Sequence, residues 1–63
     1  MLNLSEVLMQ EHELESFEAL KQVISRRAKG EVFFRMDVKP PFSDTPANWE
    51  DQLESAFTSG QRA

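Results

Sequence analysis

The side chains with the clearest chemical potential are His12 and Glu15, which lie about one helical turn apart and could supply two metal ligands. A metal site needs three or four ligands with supporting hydrogen bonds, and the sequence contains no such cluster. The nearby acids Glu11, Glu13 and Glu18 could hold a general acid and a general base, but no nucleophile or Gly-rich loop accompanies them. We therefore expect no catalytic residue, no metal and no cofactor, in a protein that is not an enzyme.

A basic block in the middle of the chain is the second feature. Its cations are interleaved with two phenylalanines, a combination that can hold phosphates and stack on bases. Residues 21–39 carry a charge of +4, whereas residues 1–20 carry -5 and residues 40–63 carry -3. Most of the surface would repel phosphate, and we expect Phe33 and Phe34 to lie in the core. Nucleic-acid contact is therefore the alternative interpretation and not the main one. Its candidate residues are Arg26, Arg27, Lys29, Arg35 and Lys39.

Apolar and aromatic side chains form the third feature, a candidate surface for a partner. Aromatic residues concentrate binding energy at the centres of interfaces. The chain has 63 residues and no cysteine, and a core of this size supplies only ~3–5 kcal/mol unless a cross-link or an assembly adds to it. We therefore expect a homodimer. The candidate dimer or partner interface comprises Leu14, Phe17, Leu20, Ile24, Phe33, Phe34, Trp49, Leu53 and Phe57.

The element that must position most of these residues is a long helix predicted over residues 3–29. Asn3 and Glu6 have the spacing of a capping box, and Gly30 suits the position after the last turn. The apolar residues do not form one stripe, because those of the first part lie a quarter turn or more from those of the second part. The helix therefore either winds its contact face around a partner, or is kinked or broken near His12.

Residues 31–39 are ambiguous. Their alternation of apolar with other residues predicts a half-buried strand. Nothing else in the sequence reads as a second strand, so a strand here would have to pair with its symmetry mate across a two-fold axis. The alternative is that tertiary packing overrides the pattern and leaves an extended or helical segment. The residues on the apolar side of the alternation are Val32, Phe34, Met36 and Val38.

A second, shorter helix is predicted over residues 46–59, after a turn over residues 40–45 that two prolines impose. Thr45 suits the N-cap position, since a proline follows it at the favoured first helical position. Gly60 suits the end of the helix, and residues 61–63 should fray. The apolar stripe of this helix, which we expect to pack against the first helix, comprises Trp49, Leu53, Ala56 and Phe57.

The composition gives no sign of a membrane or export role. No apolar run exceeds three residues, and the N-terminal region lacks a basic stretch followed by an apolar one. We therefore expect neither a membrane span nor a secretory signal. The absence of cysteine fits a reducing compartment.

The layout of the chain as a whole resembles that of a known group of proteins. The segment from Asn3 to Gly30, the turn at Pro40-Pro41-Phe42 and the helix around Trp49 are similar to the small accessory proteins of lambda-like temperate phages, in particular the open-reading-frame products of the exo to xis region. The resemblance implies an early-expressed, non-enzymatic protein that binds host factors and adjusts host physiology and the choice between lysis and lysogeny. It also implies the cytoplasm of a bacterial host. No shared motif carries functional residues over.

The sequence thus predicts a mainly α single domain over residues 1–63, with two amphipathic helices joined by an extended segment that ends in prolines, assembled as a homodimer. The alternative fold is α-β-α with an intermolecular two-stranded ribbon. The predicted function is a protein-interaction or regulatory module whose partners are a second copy and a host protein. The alternative is a dimeric regulator that contacts nucleic acid through the basic block.

Overall fold

The computed structural model describes residues 1–62. This part of the chain contains two short strands and three helices. The expectation of a mainly helical domain is confirmed. In chain order the elements are β1 (Leu2–Asn3), α1 (Leu4–Gln10), α2 (Phe17–Arg27), β2 (Phe34–Arg35) and α3 (Trp49–Arg62).

The predicted helix over residues 3–29 is wrong in its continuity, because residues 11–16 separate α1 from α2. Of the alternatives that the apolar pattern left open, the break near His12 is the one found. Ser16 is the N-cap of α2, and its hydroxyl oxygen accepts a hydrogen bond from the Ala19 N–H at 3.1 Å. The break lets the apolar residues of α1 and α2 join one core, although they lie on different sides of a straight helix.

The core is built from apolar residues of β1 and of all three helices. α2 and α3 form the most extensive pair of packed elements. The wide apolar face that suggested a dimer is therefore covered within one chain, and the dimer itself stays a prediction. The buried core residues are Leu2, Leu4, Val7, Phe17, Leu20, Val23, Ile24, Ala28, Leu53 and Phe57.

Two aspartates from the segments that follow β2 hold the N-termini of α1 and α2. Asp37 accepts hydrogen bonds from the Ser5 backbone N–H at 3.0 Å and from the Ser5 hydroxyl at 2.7 Å. Asp44 accepts one from the first N–H of α2 at 2.8 Å. Each carboxylate satisfies a free backbone donor and complements the positive end of a helix dipole. The predicted capping box is not formed, because the Asn3 amide donates to the Glu6 side chain instead.

Asp37 should make the stability of the fold depend on pH. The hydrogen bonds from Ser5, the hydroxyl first and the backbone second, lower the pKa of Asp37 below its ordinary value of 3.8. A pKa that is lower in the folded chain means that Asp37 stabilises the fold above the unfolded pKa. This contribution is lost as the pH falls through the folded pKa.

We therefore expect Asp37→Asn to lower stability at neutral pH and to flatten the fall in unfolding free energy between about pH 5 and pH 2. Urea denaturation of both proteins across this range measures the effect. The matched control is Glu13→Gln, at an exposed position between α1 and α2 where no side-chain hydrogen bond or ion pair is found within residues 1–62. Equal acid sensitivity of the wild type and Asp37→Asn would contradict the prediction.

β1 and β2 pair in parallel within the chain, with Leu2 beside Phe34. The Leu2 N–H donates to the Phe33 carbonyl at 2.9 Å. The strand predicted within residues 31–39 is thus only two residues long, and the prediction that its partner must be a symmetry mate is wrong at this edge. β1 could not be predicted from the sequence, because two residues directly before a helix are too few to show the alternation of a strand.

α3 begins and ends later than the helix predicted over residues 46–59. Thr45 does not cap it, because α3 starts only at Trp49 and the Thr45 hydroxyl donates to the Pro40 carbonyl at 3.3 Å instead. Gly60 does not end α3 but lies buried inside it, and the two residues after it continue the helix instead of fraying. Ala63 lies outside the described residues.

Gly60 marks a very close approach of α3 to α2. A Cβ placed on Gly60 would overlap the carbonyl oxygen of Ser25 and stand 2.9 Å from the Cβ of Ala28. Real Cβ atoms do not come this close, so the crossing of the two helices requires glycine. Gly30, in contrast, has the predicted role after α2, with a φ of 83° that suits glycine.

Candidate functional site

Large apolar side chains remain exposed although the core is closed. Phe33 and Val32, which directly precede β2, are 66% and 73% exposed. Extending the register of the sheet by one residue places Met1, which is 69% exposed, beside Phe33 on the outer face. Met1, Val32 and Phe33 are called the apolar patch below. Exposed apolar side chains that lie near one another are more typical of an interaction site than single scattered ones.

A groove of about 330 Å³ adjoins the apolar patch, between β2 and the second half of α3. The ring of Phe34 stacks on that of Phe57 with centroids 5.2 Å apart, so aromatic carbon forms part of its wall. α3 adds the carboxylate of Glu54. This β2 groove is lined by Val32, Phe33, Phe34, Met36, Glu54, Phe57, Thr58 and Gln61.

Most of the predicted interface residues lie inside the chain and not on its surface. The break after α1 and the packing of α3 on α2 give them partners within one molecule. The members in the core are Phe17, Leu20, Ile24, Leu53 and Phe57. Those half-buried against it are Leu14, Phe34 and Trp49. A folded chain therefore presents Phe33, of this set, most fully to a partner.

The basic residues divide between a structural role and an exposed one. Arg27 joins the end of α2 to the end of α1. Its Nη2 donates to Oε1 of Gln10 at 2.6 Å, and its Nη1 lies 3.8 Å from the carboxylate of Glu11. Arg27 is thus occupied within the fold. The remaining candidates for nucleic-acid contact, all exposed, are Arg26, Lys29, Arg35 and Lys39.

We expect Arg27→Gln to lower the free energy of unfolding by about 0.2–1 kcal/mol at low salt, because a partly exposed ion pair contributes no more than this. Added salt should reduce the difference. Arg26→Gln, at the exposed position next to it, is the matched control. It removes the same charge from the last turn of α2 but none of the Arg27 contacts, so it should lower stability less than Arg27→Gln does. Urea unfolding at two salt concentrations measures both variants. A larger loss for Arg26→Gln than for Arg27→Gln would contradict this assignment.

The acidic residues and His12 do not assemble a reactive centre. His12 lies exposed in the connection between α1 and α2, so the helical spacing that would have placed it on one face with Glu15 does not exist. Within residues 1–62, no group of three or more His, Cys, Asp or Glu side chains is placed to hold a metal ion. No helix in that same span is both long enough and apolar enough to cross a membrane.

The apolar patch is only partly visible in the sequence. Phe33 falls on the side of the 31–39 alternation that also carries Arg35 and Asp37, and this position was a usable sign of exposure. The position of Met1 level with Phe33 follows from the pairing of β1 with β2, which cannot be predicted from a local sequence pattern.

Comparison of the chain with protein-family models, with curated proteins and with solved structures found no match.

Proposed function

We propose that this protein is a non-enzymatic interaction module that forms a homodimer, with the apolar patch and the β2 groove as its contact surface. The observation that carries this proposal is the exposure of Phe33 beside a core that closes without it. Burying a phenylalanine side chain contributes about 1.5–3 kcal/mol. That contribution is large for a domain of this size, whose stability as a single chain is small.

We further propose that the module acts in the bacterial cytoplasm as a phage accessory protein that binds a host protein, and so alters host physiology or the choice between lysis and lysogeny. The resemblance of the chain layout to phage accessory proteins supports this step. An exposed apolar surface suits a role that depends on binding. Capture of a host protein by the tagged wild type, and not by a tagged Phe33→Ser variant, tests it.

Phe33→Ser should abolish self-association and leave the fold intact. The side chain is mostly exposed, and only the backbone of Phe33 takes part in the sheet. We expect analytical ultracentrifugation to give a concentration-dependent dimer for the wild type and a monomer for Phe33→Ser. By mass action, the melting temperature of the wild type should rise with protein concentration.

The matched control for this experiment is Met9→Ser, since Met9 is 77% exposed on α1 and is not part of the apolar patch. This variant should dimerise as the wild type does. A wild type that stays monomeric, with a melting temperature independent of concentration, would refute the dimer. A Phe33→Ser protein that dimerises normally would place the contact elsewhere.

The alternative function is a dimeric regulator that contacts nucleic acid through the exposed members of the basic block. Their exposure supports it, whereas the engagement of Arg27 with Gln10 and Glu11 and the acidic balance of the chain weigh against it. Binding to random duplex DNA separates the two functions. Steep loss of affinity with salt would support the alternative, and no binding at low salt would remove it.

A further inference from the structure

One edge of β2 is open. In a parallel pair, successive residues direct their backbone groups alternately toward the neighbouring strand and away from it. The Leu2 N–H bonds the Phe33 carbonyl, so Phe33 faces β1, and Arg35, two residues later, faces it too. The N–H and C=O of Phe34 therefore point to the other side, where no backbone partner meets them among the residues that the structure describes. Such an edge is a template for another strand.

The open edge adjoins the β2 groove. A strand added there would lie over the second half of α3, with a side chain directed toward the stacked rings of Phe34 and Phe57. Recognition by strand addition draws affinity from main-chain hydrogen bonds and specificity from pockets for alternate side chains. This part of the molecule supplies both: a donor and an acceptor at Phe34 that bond no other backbone group within residues 1–62, and a groove of about 330 Å³.

We propose that the occupant of the open edge is β2 of a second copy of this chain, in antiparallel register about a two-fold axis at Phe34. This pairing rests on the proposed function, since it takes the homodimer as given and assigns its geometry. The product is a four-stranded sheet in the order β1-β2-β2-β1. The intermolecular ribbon expected from the alternation in residues 31–39 thus forms at the edge that β1 leaves free.

The residues of β2 are complementary to themselves in this register. With Phe34 opposite its symmetry mate, Phe33 lies opposite Arg35 of the partner subunit as a non-hydrogen-bonded pair, whose side chains are close together. A guanidinium group over an aromatic ring forms a cation–π contact and covers apolar surface. The two-fold axis makes this contact twice, so the exposed Phe33 of each subunit is covered.

The neighbouring registers fit less well. A two-fold axis at Arg35 would set two guanidinium groups directly opposite each other, which is destabilising. An axis at Phe33 would need an extended backbone at Val32, where the chain bends. The register about Phe34 avoids both conflicts.

Disulfide trapping tests this register directly, because the sequence has no cysteine of its own. Two single variants are made, Phe33→Cys and Arg35→Cys, both at exposed positions where folding should not suffer. Non-hydrogen-bonded partners have Cα atoms about 4.5 Å apart, within the range of a disulfide. The mixed dimer keeps one of its two Phe33–Arg35 contacts, and oxidation traps it as it forms. We therefore expect the mixture to give a cross-linked heterodimer, whereas each variant alone stays uncrosslinked. Met9→Cys mixed with Arg35→Cys is the matched control.

A second test removes the backbone donor itself. A synthetic chain with an N-methyl group on the Phe34 amide loses the outward N–H and gains bulk at the open edge, while the groups that face β1 are untouched. We expect this chain to keep its circular dichroism spectrum and to sediment as a monomer. An N-methylated chain that still dimerises would overturn the strand pairing.

The other outcomes separate this pairing from the proposed function. A wild-type dimer without the cross-link between positions 33 and 35 would overturn the pairing and leave the proposed function standing. A cross-link formed by Phe33→Cys alone would overturn the register about Phe34. A monomeric wild type whose open edge binds an extended peptide of another protein would overturn the second copy as occupant. A monomer that binds nothing through Phe33 would overturn both the pairing and the proposed function.

Discussion

Replacing Gly60 with alanine is expected to lower the free energy of unfolding by about 1–3 kcal/mol or more, because the added methyl group has no space. It would overlap the carbonyl oxygen of Ser25, a backbone atom in the last turn of α2 that cannot rotate away as a side chain could. α3 would have to move off α2, and these two helices form the most extensive packing in the fold. Because a core of this size rarely supplies more than about 3–5 kcal/mol, a loss of this size is visible in any unfolding experiment.

The direction of the stability change in Gly60→Ala distinguishes a tightly packed glycine from an exposed one. At an exposed helical position, alanine is more favourable than glycine by about 1 kcal/mol. If Gly60 made no tertiary contacts, Gly60→Ala would therefore stabilise the protein. Ser59→Ala, one residue earlier on an exposed face of α3, is the control and should be neutral or slightly stabilising. Urea denaturation of the three proteins decides. A Gly60→Ala variant more stable than the wild type would refute the close crossing of α2 and α3.

The sequence predicted the helical character of the chain because the signals for it are local. The apolar positions of the first segment, the position of Gly30 after α2 and the apolar stripe of α3 all depend on residues within a few turns of one another. The mismatch between the two apolar sets of the segment 3–29 also pointed to the break near His12. The sequence could not distinguish a helix broken near His12 from a continuous helix that winds around a partner, since either arrangement covers the same apolar surface.

The features that sequence reasoning missed depend on residues far apart in the chain. Gly60 has the sequence context of a helix end, and only its contact with Ser25 makes it a packing residue. In the sequence, Asp37 and Asp44 have the context of linker residues. Only the fold places their carboxylates at the N-termini of α1 and α2. β1 becomes a strand only because residues 33–35 lie beside it.

The candidate site likewise has one part that could be predicted from the sequence and one part that could not. Phe33 was named from the sequence both as an interface candidate and as a residue expected in the core. The core position is wrong, because Phe33 is 66% exposed, and its interface role stays a prediction. The groove beside it was not foreseeable, because it requires Phe34 and Phe57 to stack across the fold. Phe57 itself was expected to be buried against the first helical segment, and it is a core residue, whereas Trp49 is only half-buried.

Replacing Phe57 with alanine is expected to cost about 3–5 kcal/mol, the usual range for truncating a buried aromatic residue. Phe57 is only 6% exposed, belongs to the main core and stacks on Phe34 at 5.2 Å. The loss would equal the whole stability of a domain of this size, so the variant should be unfolded as a single chain. Because Phe57 also lines the β2 groove, the groove would be lost together with the fold.

The matched control is Phe33→Ala, which removes the same atoms from an exposed position and should change the stability of the monomer by no more than about 0.5 kcal/mol. Phe57→Leu keeps most of the volume and removes the aromatic stack, whose own contribution is about 0.5–1.5 kcal/mol. This variant should stay folded and melt at a lower temperature. Circular dichroism melting of the three variants at one low protein concentration separates burial, stacking and surface effects. A Phe57→Ala protein with the helical signal and melting temperature of the wild type would show that Phe57 faces outward, and that the core and groove described here are wrong.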